Sequence, residues 1–444
     1  MTHFDAASLN PRSAAPALPT ATVVRITLVC FAVSMIDGFD TLMLSFVAPL
    51  LAHSLQIDHA ALGRVFGAGF VGTVLGSLIA GPLADRFGRR PMLLLALAVT
   101  GFFTLACAFA GSATSLATLR FLGGLGMGGA IPAVAAITAE SSASQRRSSL
   151  VILMFIGFPL GAVVGGAITA ALMMRFGWPF VFLMGGTCAL AAIVPVLLVI
   201  PSTTAARADA AAPSAQRSLA GRAFGSFVGD LLADGRLAPT LALWFGLLAS
   251  MILTGFLVNF MPTILNLNGI TPDRAALGAV VLNLGAIVGA LLISAVVGRI
   301  GPFVPVIISF ACGAVVVFAL GRVIGAGNAA FGVLFFAGAC LVGGQLTMPA
   351  IASRLYPTPV RGSGIGWTMA IGRMGSIIGP LVGGILLAQK LPLEQIFVIA
   401  ALLAVCASLG IALVAAWRPR EDIDTRAPAA PFTITHAEPG NGKS

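Results

Sequence analysis

The chain has 444 residues, 58% of them hydrophobic and only 9% charged, with a formal net charge of +10. Soluble domains carry about 25% charged residues, so this composition excludes a surface solvated by water and requires lipid. Six cysteines (Cys30, Cys107, Cys188, Cys312, Cys340, Cys406) fall inside apolar runs without CxxC spacing, which argues against a disulfide framework or a zinc site.

Residues 1–23 are rich in Ala, Pro, Ser and Thr, lack the apolar core of a signal peptide, and read as a cytoplasmic tail. A membrane-spanning helix needs about 20 mostly apolar residues. Six such runs, near 24–51, 62–84, 92–111, 116–139, 149–173 and 178–200, make a first half, 24–200. The stretch 201–237 holds Arg207, Asp209, Arg217, Arg222, Asp230, Asp234 and Arg236 and reads as a cytoplasmic central loop. A second set, near 238–264, 274–298, 303–323, 328–351, 362–388 and 393–416, makes a second half, 238–416, and 417–444 is a polar cytoplasmic tail. The predicted fold is an all-α membrane protein with twelve transmembrane helices in two six-helix halves.

Lys and Arg in the loops set the orientation. With both termini in the cytoplasm, eighteen basic residues lie in cytoplasmic segments and five in outer loops, while Arg120 and Arg373 lie inside helices. The basic surplus therefore reads as a topology signal, and a nucleic-acid partner has little support. The halves also repeat. A shift of 213 places Gly72, Gly76, Arg86 and Gly88 on Gly285, Gly289, Arg299 and Gly301, and a shift of 218 places Gly157, Gly161, Gly165 and Gly166 on Gly375, Gly379, Gly383 and Gly384. Small residues at this spacing let helix backbones approach closely. Parallel repeats place a binding site between the halves and imply rocking-type alternating access.

Polar residues inside the spans are the candidates for chemistry. Asp37 and Asp40 share a face in the middle of the first helix. Acids at that depth are costly and usually functional, and this pair suits reversible proton binding; the bland alternative is a packing ion pair with an arginine. Arg373, near mid-membrane in the eleventh helix, needs an anion, which a substrate carboxylate or one of those acids can supply. Arg120 sits about one turn from the outer end of the fourth helix, where snorkelling competes with a substrate role. Phe39, Trp367, Asn259 and Gln345 are candidates for lining an aromatic-tolerant cavity, although each alone is more simply packing. In the loop Gly81-Pro82-Leu83-Ala84-Asp85-Arg86-Phe87-Gly88-Arg89-Arg90-Pro91, Gly88 permits a tight turn. There Asp85 can latch against basic residues or a helix N-terminus, with Arg86, Arg89 and Arg90 beside it. The second copy retains only Gly298-Arg299-Ile300-Gly301. Glu140 is expected to meet Arg89, Arg90, Arg146 or Arg147 at the inner face, and Arg361 is a further gate candidate. No P-loop, nucleophile elbow or HExxH motif appears, so neither ATP hydrolysis nor another enzymatic activity is supported.

The loop GPLADRFGRRP matches the signature of the major facilitator superfamily. With DGFDTLMLSFVAPLL in helix one, GFLVNFMPTILNLNGI in helix seven and LYPTPVRGSGIGWTMAIGRMGSIIGPLVGG joining helices ten and eleven, the chain resembles the aromatic acid:H+ symporter family of that superfamily. The resemblance covers all twelve helices. It implies functional roles for the helix-one acids, the helix-four arginine and glutamate and two helix-eleven arginines, which correspond here to Asp37, Asp40, Arg120, Glu140, Arg361 and Arg373. One departure stands out: where relatives often carry an acid and a histidine between helices eight and nine, this chain has Gly298 and Phe303. The expected function is proton-coupled uptake of a small aromatic carboxylate. The expected partners are that acid, protons and the lipid bilayer, with no cofactor beyond the proton gradient. The expected setting is a bacterial-type inner membrane and a monomer. Symport of a non-aromatic organic anion, proton-driven export and a non-transporting receptor remain the alternatives.

Overall fold

A computed structural model describes residues 19–142, 147–201, 236–325, 327–356 and 361–417, and among these all regular structure is helical. The first four helices are α1 (Thr20–Ser54), α2 (His59–Phe87), α3 (Arg89–Cys107) and α4 (Ala113–Ser141). Their starts follow local chemistry. Asp58 caps α2 by accepting from the Ala61 amide at 2.7 Å, and Ser112 and Ser115 form a reciprocal capping box at α4. The stretch Leu153–Val199 is apolar over 47 residues, about 70 Å if it were straight and more than twice the roughly 30 Å hydrocarbon core. It breaks at Gly177, whose φ of 77° and ψ of 175° are not helical. Two spans result, α5 (147–176) and α6 (178–199).

The second half holds α7 (Leu237–Leu267), α8 (Pro272–Ile300), α9 (Phe303–Val323), α10 (328–355), α11 (Arg361–Ala388) and α12 (Leu393–Trp417). The described residues thus form twelve spans, in line with the sequence pattern. An even number of antiparallel spans puts residues 19 and 417 at one end of the bundle, here the terminal end. The turns at 55–58, 177 and 268–271 lie at the far end.

Within each half the glycines act as expected from their spacing. A Cβ at Gly72 or Gly76 would collide with the carbonyls of Phe121 and Leu125 on α4, and one at Gly285 or Gly289 with those of Phe335 and Ala339 on α10. The same backbone-on-backbone contact is built twice. Gly88 and Gly301, equivalent by the 213 shift, both end their helices at positive φ, 95° and 82°. The contacts of α5 on α1 and of α11 on α7 give a register that the sequence did not reveal. Gly38 and Phe39 correspond to Gly255 and Phe256, a shift of 217. The fourth helices run at a shift of 214 from Gly124 and Gly338 through Leu125 and Ala339, then at 215 for Gly128 and Gly343. The extra residue falls in a π-helical turn, Gly338–Val342, the expected outcome of a one-residue insertion in a helix.

The halves meet through α2 on α11, α5 on α8 and α1 on α7 and α8. Several of these contacts lie in the far half. A Cβ at Gly63 would stand 2.6 Å from the Pro380 carbonyl, and one at Gly166 2.7 Å from Val280. The Phe66 and Phe260 rings meet edge to face at 5.5 Å.

Candidate functional site

Asp37 occupies the centre of α1, about 25 Å from either end, and Arg373 lies about 18 Å into α11. Both are therefore near mid-membrane, as their positions in the sequence suggested. They belong to different halves and interact through space across the boundary, beyond 4.0 Å. Arg373 Nη1 is buried without a hydrogen-bond partner, and Asp37 is 8% exposed. A guanidinium with an unfilled donor in a low-dielectric interior is a receptor for an anion.

Asp40 and Arg120 pair with each other instead. Asp40, 2% exposed, accepts from Arg120 Nη2 at 3.3 Å and Nη1 at 3.5 Å, and from Thr104 Oγ1 at 2.7 Å. Arg120 Nη2 also donates to the Asp40 carbonyl at 2.9 Å. The expectation that Arg120 sits one turn from the helix end is corrected: α4 begins at Ala113, so Arg120 is two turns in, buried rather than snorkelling. The helix-one acids thus divide their labour, one satisfied within its own half and one facing the other half.

The remaining lining candidates separate in the same way. Phe39 fills the seam left by Gly165 and Gly185 in the first half, so the structure places it in packing rather than on a cavity wall. Gln345 Oε1 accepts from Thr254 Oγ1 at 2.5 Å, and its Nε2 donates to Met251 Sδ at 2.8 Å. Ser376 Oγ, one turn from Arg373, reaches the same sulfur at 3.5 Å. Thr254 is the counterpart of Asp37 in the 217 register. Asn259 is 1% exposed; its Nδ2 donates to Gly255 O at 2.7 Å and its Oδ1 is buried without a partner. Trp367 stacks on Trp244 with ring centroids 6.2 Å apart, about two turns toward the terminal end from Arg373. In the first half a half-open groove is lined by Thr41, Phe66, Phe70, Thr73, Arg120 and Met127 among others. Sequence reasoning missed Thr104, Thr254, Met251 and Trp244, which are ordinary residues in apolar runs and acquire meaning only through their neighbours.

At the terminal end, Glu140 Oε1 accepts from Arg89 Nε at 2.7 Å. Arg90 Nη2 donates to Leu197 O at 2.6 Å, tying α3 to α6. Arg86 lies 5.4 Å from the centroid of the Phe87 ring and is exposed. The side chains of Asp85 and Arg361, both gate candidates, and Arg146 lie outside the described residues.

Two six-helix halves around a mid-membrane ionic site define a secondary transporter, and solved transporters share this architecture. A D-xylose–proton symporter superposes with a TM-score of 0.71 at 17% identity, covering 88% of this chain and 97% of that one. The nucleoside transporter NupG gives 0.70 at 14% identity, covering 88% and 98%. The chain belongs to the Major Facilitator Superfamily, whose model matches residues 30–368 and 330–437, and within it to the aromatic acid:H+ symporter family. It is 32% identical to a gallate transporter of Pseudomonas putida over 87% of this chain and 90% of that protein. It is 31% identical to a 4-hydroxybenzoate transporter of Pseudomonas aeruginosa over 88% and 92%. It is also 30% identical to a 3-(3-hydroxy-phenyl)propionate transporter of Escherichia coli over 81% and 86%.

Proposed function

We propose that this protein takes up a small aromatic carboxylate together with a proton. The observation that carries the reading is the buried, unfilled guanidinium donor of Arg373 at mid-membrane depth, with Asp37 at matching depth in the other half. An ionised Asp37 compensates Arg373. A proton on Asp37 removes that compensation, and a substrate carboxylate takes its place on the arginine through charge-assisted hydrogen bonds. Binding of the anion and of the proton are then linked. One monoanion with one proton moves no net charge, so the pH gradient and the substrate gradient supply the drive. Asp40 and Arg120 hold the first half in register while this exchange occurs. The indoles of Trp244 and Trp367 and the amides of Gln345 and Asn259 offer faces and polar groups suited to a hydroxylated ring.

The relatives' named substrates, gallate, 4-hydroxybenzoate and a hydroxyphenylpropionate, are all hydroxylated aromatic acids, which supports this substrate class. In this reading the protein works as a monomer without a cofactor in a bacterial inner membrane, with the terminal end in the cytoplasm as the loop arginines favour. The test is external alkalinisation by weakly buffered, de-energised cells given aromatic acids, their neutral amides and aliphatic acids. Alkalinisation with aromatic acids alone is the expected result. A response to the amides, or to aliphatic acids only, overturns the reading.

A further inference from the structure

Ser45 lies in α1, nine residues from its far end, and is fully buried. Its hydroxyl crosses to the other half, donating to Val258 O at 2.8 Å and Asn259 O at 3.0 Å on α7. The acceptor is not an ordinary helical carbonyl. Val258 stands four residues before Pro262, which lies inside α7. Proline has no N–H, so the Val258 carbonyl has no donor in its own helix. A membrane helix tolerates such a proline when a hydroxyl or a neighbouring helix satisfies the freed carbonyl. Here the hydroxyl that does so belongs to the opposite half. Pro49 in α1 likewise deprives the Ser45 carbonyl of its helical donor, so both helices are loosened where they cross.

We propose that Ser45 is a positioning residue of the transport cycle, a latch on the Val258 carbonyl that holds the far end closed and releases when that end opens. The inference rests on the alternating access of the reading above but not on its substrate. The neighbouring contacts across this seam, Phe66 on Phe260 and Gly166 on Val280, are apolar and weakly directional. The Ser45 bond is directional and is lost within about 1 Å of displacement. On opening, water reaches both the hydroxyl and the carbonyl, so the bond is exchanged rather than left vacant, and its net worth stays near that of one hydrogen bond. That suits a reversible latch. It also ties the seam to the backbone of Asn259, whose side-chain oxygen is unfilled.

The test uses the full chain in nanodiscs, without substrate, carrying Leu381→Cys in the far seam, where Leu381 packs on Gly67. Modification by a charged maleimide is followed residue by residue with mass spectrometry, which separates the reporter from the native cysteines. Ser45→Ala is expected to speed reporter modification about fivefold, the worth of one neutral hydrogen bond. Ser45→Thr, which keeps the hydroxyl, is expected to restore the slow rate. An unchanged rate in Ser45→Ala, or equal acceleration in both variants, overturns the latch. Pro262→Ala gives Val258 O an in-helix donor and probes the same bond from the other side. It is expected to speed modification by itself and to leave Ser45→Ala with little further effect; fully additive effects contradict the proposal. Because no substrate is present, failure here leaves the aromatic-acid reading intact, and failure of the alkalinisation test leaves the latch intact.

Discussion

At the places where the first half carries Asp40 and Arg120, the second carries Leu257 and Leu334, both buried. The correspondence follows from the glycine contacts that fix the registers at 217 for α1 and α7 and 214 for α4 and α10. The second half has its own departures: Arg373 where the 218 shift gives Phe155, and a π turn where α4 is continuous. The skeleton is duplicated and the chemistry is not. Close backbone contacts at Gly72, Gly76, Gly285 and Gly289 are demanded by packing and so persist in both copies. Charges are costly in lipid, and each half retains those that its own task needs. The first half keeps a satisfied pair and one acid facing outward from it. The second half supplies a cation across the boundary from that acid.

The largest expected effect breaks the first half's pair. Arg120→Ala leaves Asp40 buried without its cation and is expected to lower stability by about 3–5 kcal/mol, read as thermal unfolding in detergent. Replacing both residues by leucine, as the second half does, is expected to recover most of that loss. If the double variant is as unstable as Arg120→Ala, the two halves are not equivalent at this site. Next, Arg373→Ala removes the anion receptor. Uptake is expected to fall about a hundredfold with little change in unfolding temperature; normal uptake excludes a carboxylate anchor there. A smaller pair of effects tests the shared skeleton. Gly76→Val and Gly289→Val are each expected to cost about 1–3 kcal/mol through overpacking against α4 and α10, and a large difference between them argues against duplicated packing. Smallest is Glu140→Gln. Its bond to Arg89 is partly solvent-exposed, so stability is expected to change by less than about 1 kcal/mol, with any larger effect confined to transport rates.

Much of this organisation is legible in the sequence because lipid leaves few choices. Twelve apolar runs, the glycine repeats of α2 with α8 and α5 with α11, and the central depth of Asp37 and Arg373 all follow from span length and spacing. The partnership of Asp40 with Arg120 does not, because helix crossing decides which of two neighbouring acids meets which arginine. Phe39 was legible as an aromatic beside the acids, yet its direction depends on the gap left by Gly165 and Gly185. The register of α7 was hidden because Thr254 replaces Asp37 and Leu257 replaces Asp40, leaving of that motif Gly255 and Phe256 in common. The π turn was hidden because a single inserted residue leaves no mark on composition.

The central claim is that Asp37 and the substrate carboxylate exchange on Arg373. Its most direct test is the pH dependence of aromatic-acid binding to purified wild-type protein and Asp37→Asn. If one proton on Asp37 is required, wild-type affinity falls about tenfold per pH unit once that group has ionised, whereas Asp37→Asn binds with an affinity that pH does not change. The same slope in both proteins contradicts the account, as does loss of binding in Asp37→Asn while Arg373 remains in place.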